Sequence, residues 1–232
     1  KQLLFLILSA AMGFGLNAQL SAGDIAFVQY NADGPEIIKF IAFTDIPPGE
    51  VIYFTDQGWL SAGGFRCCEG THTWSSPGVS CGDIVSVDLS GPALSSSGDQ
   101  LIAYQGPSLG TVTTIITALN SEGSGIWQAN ATNANTSALP AGLTNGTNAV
   151  ALNEIDNVKY TGATLSGTIS SMRAALHDKS NWSGSNTVEQ DFTATITITD
   201  CSVTNTPTIT VSPSSLSGLD YAVNAGPSSA SS

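Results

Sequence analysis

Charge is scarce in this sequence: Asp, Glu, Lys and Arg together make up 10% of its 232 residues. Positive charge is scarcer still, with six Lys and Arg against eighteen Asp and Glu, a net charge of −12 at pH 7. Such a surface repels nucleic acid and anionic lipid, which argues against both as partners. Only two histidines occur, His72 and His177, and neither sits in an active-site motif. No Walker loop, no HExxH and no dinucleotide fingerprint is present, so the chemistries those motifs serve lose their sequence support. The one extended apolar run, from Leu3 to Leu16, is short for a bilayer span.

That run follows Lys1 and ends in Leu16-Asn17-Ala18, small residues suited to signal peptidase. The pattern predicts a signal peptide over residues 1–18, a new N-terminus at Gln19, and a secreted or cell-surface protein with no membrane insertion after cleavage. Hydrophobic residues make up 41% of the chain and recur in patterned segments, so the chain reads as folded.

Four cysteines fit an oxidising compartment. A Cys67–Cys68 bond would close a strained ring, so the expected pairing joins one of these to Cys81 and the other to Cys201. A metal site is the alternative, but the spacing is not that of paired CxxC motifs.

Strand signals dominate. Asp24–Tyr30, Ile37–Phe43, Val51–Thr55, Thr71–Trp74, Asp83–Leu89, Gln100–Tyr104, Thr111–Leu119, Ala149–Leu152 and Phe192–Thr199 are short and β-rich. Most are bounded by Gly, Pro, Asn, Asp or Ser. Pro48-Gly49 suits a type II turn. Many short strands separated by turns predict an all-β antiparallel sandwich. Ile169, Met172, Ala175 and Leu176 share one helical face, so one short helix is expected, capped by Ser166 or Ser170. Residues 120–148, rich in Asn, Thr, Ser, Ala and Gly, read as a long surface loop anchored by Trp127.

Several motifs invite chemistry. Gly106-Pro107-Ser108-Leu109-Gly110 matches GxSxG, but a β-branched run follows where a nucleophile elbow needs a helix, so a turn is expected. His177 lies near the expected helix end, where a cation suits the dipole. Asp33, Glu36, Asp45, Glu50, Asp56 and Glu69 lie in or beside turns. They read first as caps hydrogen-bonded to backbone N–H groups and second as calcium ligands, with Asp33, Asp45 and Asp56 the candidates. No other cofactor is implied. Of four tryptophans, Trp59 and Trp127 are the candidates for stacking on a sugar, while Trp74 and Trp182 read as packing residues.

The segments GDIAFVQYNADG, FIAFTDIPPGEVIYFTDQGW, FRCCEGTHTW, SGDQLIAYQG, LPAGLTNGTNAVAL and DNVKYTG, in this order, resemble a module near the start of secreted bacterial multidomain proteins. Its strand pattern is similar to lamin-tail-type sandwiches, and the resemblance covers residues 22–192. The adjacent Cys67-Cys68 departs from it. The tail SLSGLDYAVNAGPSSASS resembles the start of Ig-like repeats in surface proteins exported by the type IX pathway. The resemblance implies a β-sandwich module over 19–204, and over 205–232 a linker with the truncated start of a second, Ig-like domain. The expected function is noncatalytic: structural, adhesive or docking, with other domains of the same polypeptide and surface glycans or proteins as partners. The alternative is a glycan-binding accessory module of an extracellular hydrolase whose catalytic domain lies beyond residue 232.

Overall fold

The computed structural model describes residues 19–201. The expected signal peptide and the expected start of a second domain lie outside these residues. The described chain is an all-β sandwich of two five-stranded sheets with one short helix.

The first sheet contains β1 (Ile25–Asn31), β2 (Ile37–Ala42), β5 (Ile84–Asp88), β9 (Asn157–Tyr160) and β11 (Trp182–Ser185). Its order is β11-β9-β1-β2-β5, antiparallel throughout. The second contains β3 (Val51–Thr55), β4 (Thr71–Ser75), β6 (Gln100–Gln105), β7 (Thr114–Asn120) and β8 (Ala149–Ala151), in the order β4-β3-β6-β7-β8. Here one pair departs from expectation: β7 and β8 run parallel. A parallel neighbour requires the chain to cross back before it pairs, which hairpin turns cannot do. This accounts for the long connection at 121–148. β10 (Ser166–Gly167) and β12 (Thr197–Ile198) form a small parallel ladder beside the sheets.

The interior lies between the sheets. Ile25, Phe27, Ile38, Phe40, Ile52, Phe54, Leu101, Ile116, Leu119 and Val150 belong to one buried cluster there. Phe54 meets Phe27 and Phe40 across the gap, with ring centroids 6.3 and 5.8 Å apart. The outer faces are not left to solvent. Ala26, Val28, Ile41 and Tyr160 on the first sheet are covered by Met172 and Leu176 of α1 (Ile169–Leu176) and by Phe192 and Ile196. Ile102, Tyr104 and Ala118 on the second are covered by Trp59, Ala138 and Leu143. β1 and β6 are therefore buried along their whole length, and strands buried on both faces read as continuous apolar runs.

Within β1 the register shifts between Phe27 and Gln29. Strict alternation would point residues 25, 27 and 29 inward. The shift instead puts Tyr30 in the inner cluster and frees Gln29 to accept the Phe192 N–H at 2.7 Å. Bulges re-aim side chains in this way.

The expected helix is present, but its cap is Thr168, whose side chain accepts from the Ser171 N–H, rather than Ser166 or Ser170. Ser166 is taken up by β10. The expected turn at Pro48-Gly49 is also present: Gly49 has φ +83° and the Glu50 N–H donates to the Pro47 carbonyl. Of Phe192–Thr199, only Thr197–Ile198 is strand; the rest lies over the first sheet as cover.

The disulfide pairing differs from expectation. Cys81 is bonded to Cys201, 120 residues away, with Cα atoms 5.7 Å apart. Cys67 and Cys68 are exposed, free thiols. Cys81 sits in the turn that leads to β5, and β12 brings the chain close beside it: the Gly82 backbone lies next to Ile198 and Cys201. Sequence proximity favoured the Cys67-Cys68 turn as partner, and tertiary packing put Cys201 there instead.

Candidate functional site

An acidic cleft lies at one end of the second sheet. Strand register builds it. Thr55 pairs with Thr71, and Thr55 also pairs with Ile102. Asp56, the residue after β3, therefore emerges beside Glu69 and Gly70, which precede β4, and beside Asp99, which precedes β6. The loop after β5 closes the cleft with Gly91, Ala93 and Ser95, and the long connection adds Ala134 and Asn135. The cleft is open to solvent and has a volume of ≈ 490 Å³. Gly70 is required at its floor: a Cβ there would lie 1.9 Å from the Gly91 carbonyl oxygen.

The carboxylates anchor the surrounding loops. Asp56 Oδ2 accepts the Ala93 N–H at 2.8 Å, and Glu36 Oε1 accepts the Leu94 N–H at 2.9 Å. Asp99 Oδ2 accepts the Ser95 N–H, and its Oδ1 accepts the N–H and side-chain amide of Gln100, each at 2.8 Å. The Gln100 Nε2 also donates to the carbonyls of Asp56 and Ala134. Asn135 Nδ2 donates to Ser95 Oγ and to the Gly98 carbonyl, each at 2.8 Å.

These bonds do not satisfy every oxygen. Asp56 Oδ1, Glu36 Oε2, Glu69 Oε2 and Gln100 Oε1 are buried without a hydrogen-bond partner. Asp56 and Asp99 are each 3% exposed and Gln100 is fully buried. Arg66 Nη1 lies 3.9 Å from Glu69 Oε2, a long ion pair. The Tyr30 hydroxyl, brought inward by the β1 bulge, is also buried and unpartnered.

Their electrostatics follow. Burial pushes Asp99 up to about 8; hydrogen bonds from Ser95 and Gln100 hold it down in part, and the charges of Asp56 and Glu69 raise it further. Burial and then Asp56 push Glu69 up to about 7. Asp56 and Glu36 are raised too, burial leading in both. Tyr30 is raised well above the usual phenol range by burial and then by Asp99. Close carboxylates in a poorly solvated place must share protons or meet a counter-charge.

The calcium candidates do not gather. Asp33 Oδ2 accepts from Asn157 Nδ2 at 2.8 Å, and Asp45 Oδ1 accepts the Cys81 N–H at 2.9 Å. Both tie loops together elsewhere, and of the three only Asp56 lines the cleft. Among the described residues, no three Asp, Glu, His or Cys side chains form a preassembled metal cluster. Glu36 and Glu69 stand out in the sequence as turn carboxylates, whereas Asp99 and Gln100 do not, because SGDQ reads as a turn entering a strand. The signal available was four polar residues, Asp56, Glu69, Asp99 and Gln100, each at a strand end.

The remaining candidates are placed as follows. Trp59 is buried, 8% exposed, edge-on to Phe65 with centroids 5.2 Å apart, so it presents no open face to a sugar. Trp127 is half-buried against the second sheet and donates Nε1–H to Asn145 at 2.9 Å. Trp182 donates to the Leu176 carbonyl at 2.8 Å, holding helix to sheet. His177 caps α1 but is buried, 3% exposed. Burial lowers its pKa to about 4, so it is neutral there rather than the cation that the helix end favoured. Its Nδ1 faces the Arg173 carbonyl at 2.8 Å and its Nε2 faces Thr117 Oγ1 at 3.4 Å. His72 Nδ1 accepts the Ser90 N–H at 3.0 Å. Ser108 lies in the turn between β6 and β7, within 3.0 Å of Thr111 Oγ1.

Among the described residues, no helix is long and apolar enough to cross a membrane. The chain matches no family model, no curated protein and no solved structure.

Proposed function

We propose that this chain is a noncatalytic, lamin-tail-like module of a larger exported surface protein, which spaces, presents or docks neighbouring domains. Export by the type IX route and an Ig-like segment after the sandwich belong to the same reading. The observation that supports it is how the groups that could do chemistry are used. Both histidines, the GxSxG serine and most of the candidate loop carboxylates are taken up in hydrogen bonds within the fold. Covered outer faces leave the loops and sheet edges as the surfaces open to partners. A glycan-binding role has less support, since of its two candidate rings Trp59 is buried and Trp127 is half-buried against the second sheet.

Protease shaving of intact producing cells, read by mass spectrometry, tests the proposal. The expected result is release of peptides from residues 19–201 and none from 1–18. A protein protected inside intact cells with residues 1–18 retained contradicts it. So does turnover of ester or phosphodiester substrates by the purified chain.

A further inference from the structure

We propose that the cleft formed by Asp56, Glu69 and Asp99 binds a calcium ion, with Asp56 Oδ1 and Glu69 Oε2 as its first carboxylate ligands. The inference does not depend on the role proposed for the module. It rests first on unpartnered oxygen. Asp56 is almost wholly buried, and one of its two oxygens receives no hydrogen bond. An unpaired buried carboxylate oxygen carries a large desolvation cost. Glu69 Oε2 is likewise buried without a hydrogen-bond partner, with Arg66 Nη1 3.9 Å away.

The second ground is the chemistry of the wall. Calcium takes six to eight oxygens, carboxylate and neutral together, in flexible geometry. The cleft adds Ser95, Asn135 and Asp99 to the two free carboxylate oxygens. A mixed set of this kind does not require three acidic groups already converged, so the lack of such a cluster is compatible with it. Magnesium demands near-ideal octahedral geometry and dehydrates reluctantly, which a cleft made from three separate loops suits poorly.

The third ground is the shortage of counter-charge. Among the described residues, the ion pair to these carboxylates is the one from Arg66, whose Nη1 lies 3.9 Å from Glu69 Oε2. A divalent cation would satisfy the free oxygens.

The test is thermal melting of the full chain at pH 7.5 in EDTA, in 10 mM CaCl2, in 10 mM MgCl2 and in NaCl of matched ionic strength. With a dissociation constant of about 10⁻⁴–10⁻³ M, as extracellular calcium modules show, calcium raises Tm by roughly 3–10 °C over EDTA. Magnesium raises it less and NaCl not at all. Glu69→Gln abolishes the calcium shift while still folding, because Glu69 is only partly buried and Gln has nearly its shape. Asp56→Asn does the same if it folds, and Glu69→Gln carries the test if it does not. An unchanged Tm in calcium, an equal rise in NaCl, or a full calcium shift in Glu69→Gln overturns the proposal.

Discussion

Phe40 of the first sheet and Trp74 of the second meet edge to face, with ring centroids 5.5 Å apart and planes at 88°. This contact ties an inner strand to the edge strand β4, and Phe40 is fully buried. Phe40→Ala should lower the free energy of unfolding by about 3–5 kcal/mol, the cost of a large core truncation. Urea denaturation measures it. A loss below about 1 kcal/mol would place the core elsewhere.

The disulfide makes a separate prediction. The oxidised native protein should show two thiols, Cys67 and Cys68, to a thiol reagent without denaturant. Peptide mapping without reduction should recover Cys81 joined to Cys201. Replacing both Cys81 and Cys201 by Ser should cost about 2–5 kcal/mol, since the bond closes a long loop. A fragment linking Cys81 to Cys67 or Cys68 would contradict the pairing.

His177 gives a pH signature. Its folded pKa, about 4, lies below the free-imidazole value of 6.5. Between those values the unfolded chain binds a proton that the folded one does not. Stability contributed by the neutral ring is therefore intact above pH 6.5 and lost as pH falls towards 4, by up to about 3 kcal/mol. NMR titration should find the His177 ring neutral from pH 8 down to 5. A ring that protonates near pH 6 would show that it is not sealed.

Much of the fold could be read from the chain, because turn residues cut it into strand-sized pieces. Val51–Thr55 and Ala149–Ala151 carry β-branched or apolar side chains between Gly, Pro or Asn. β9 and β11 could not be read this way: Asn157–Tyr160 is short and half polar, and Trp182–Ser185 is mostly Ser and Gly, so neighbours rather than propensity make them strands. Trp59 shows the opposite limit. It follows a turn, which suggests exposure, yet the long connection folds over it. The acidic cleft was legible only in part for a similar reason. Asp56, Glu69 and Asp99 are distant in sequence and converge only once β3, β4 and β6 are in register.

The cleft itself faces the most direct measurement, which is the free energy of unfolding in EDTA at pH 6.5 and at pH 8.5. Asp99, at about 8, and Glu69, at about 7, both lie above ordinary carboxyl values. The folded state then holds protons that the unfolded state has lost, and stability must fall as pH rises through these values. His177 opposes this fall by only about 0.4 kcal/mol, since half of the unfolded rings are protonated at pH 6.5 and almost none at pH 8.5. The account predicts a fall of about 2 kcal/mol from Asp99 alone, a flatter profile in Asp99→Asn, and recovery at pH 8.5 on adding CaCl2. Stability that is level or rising across the window in EDTA would contradict it.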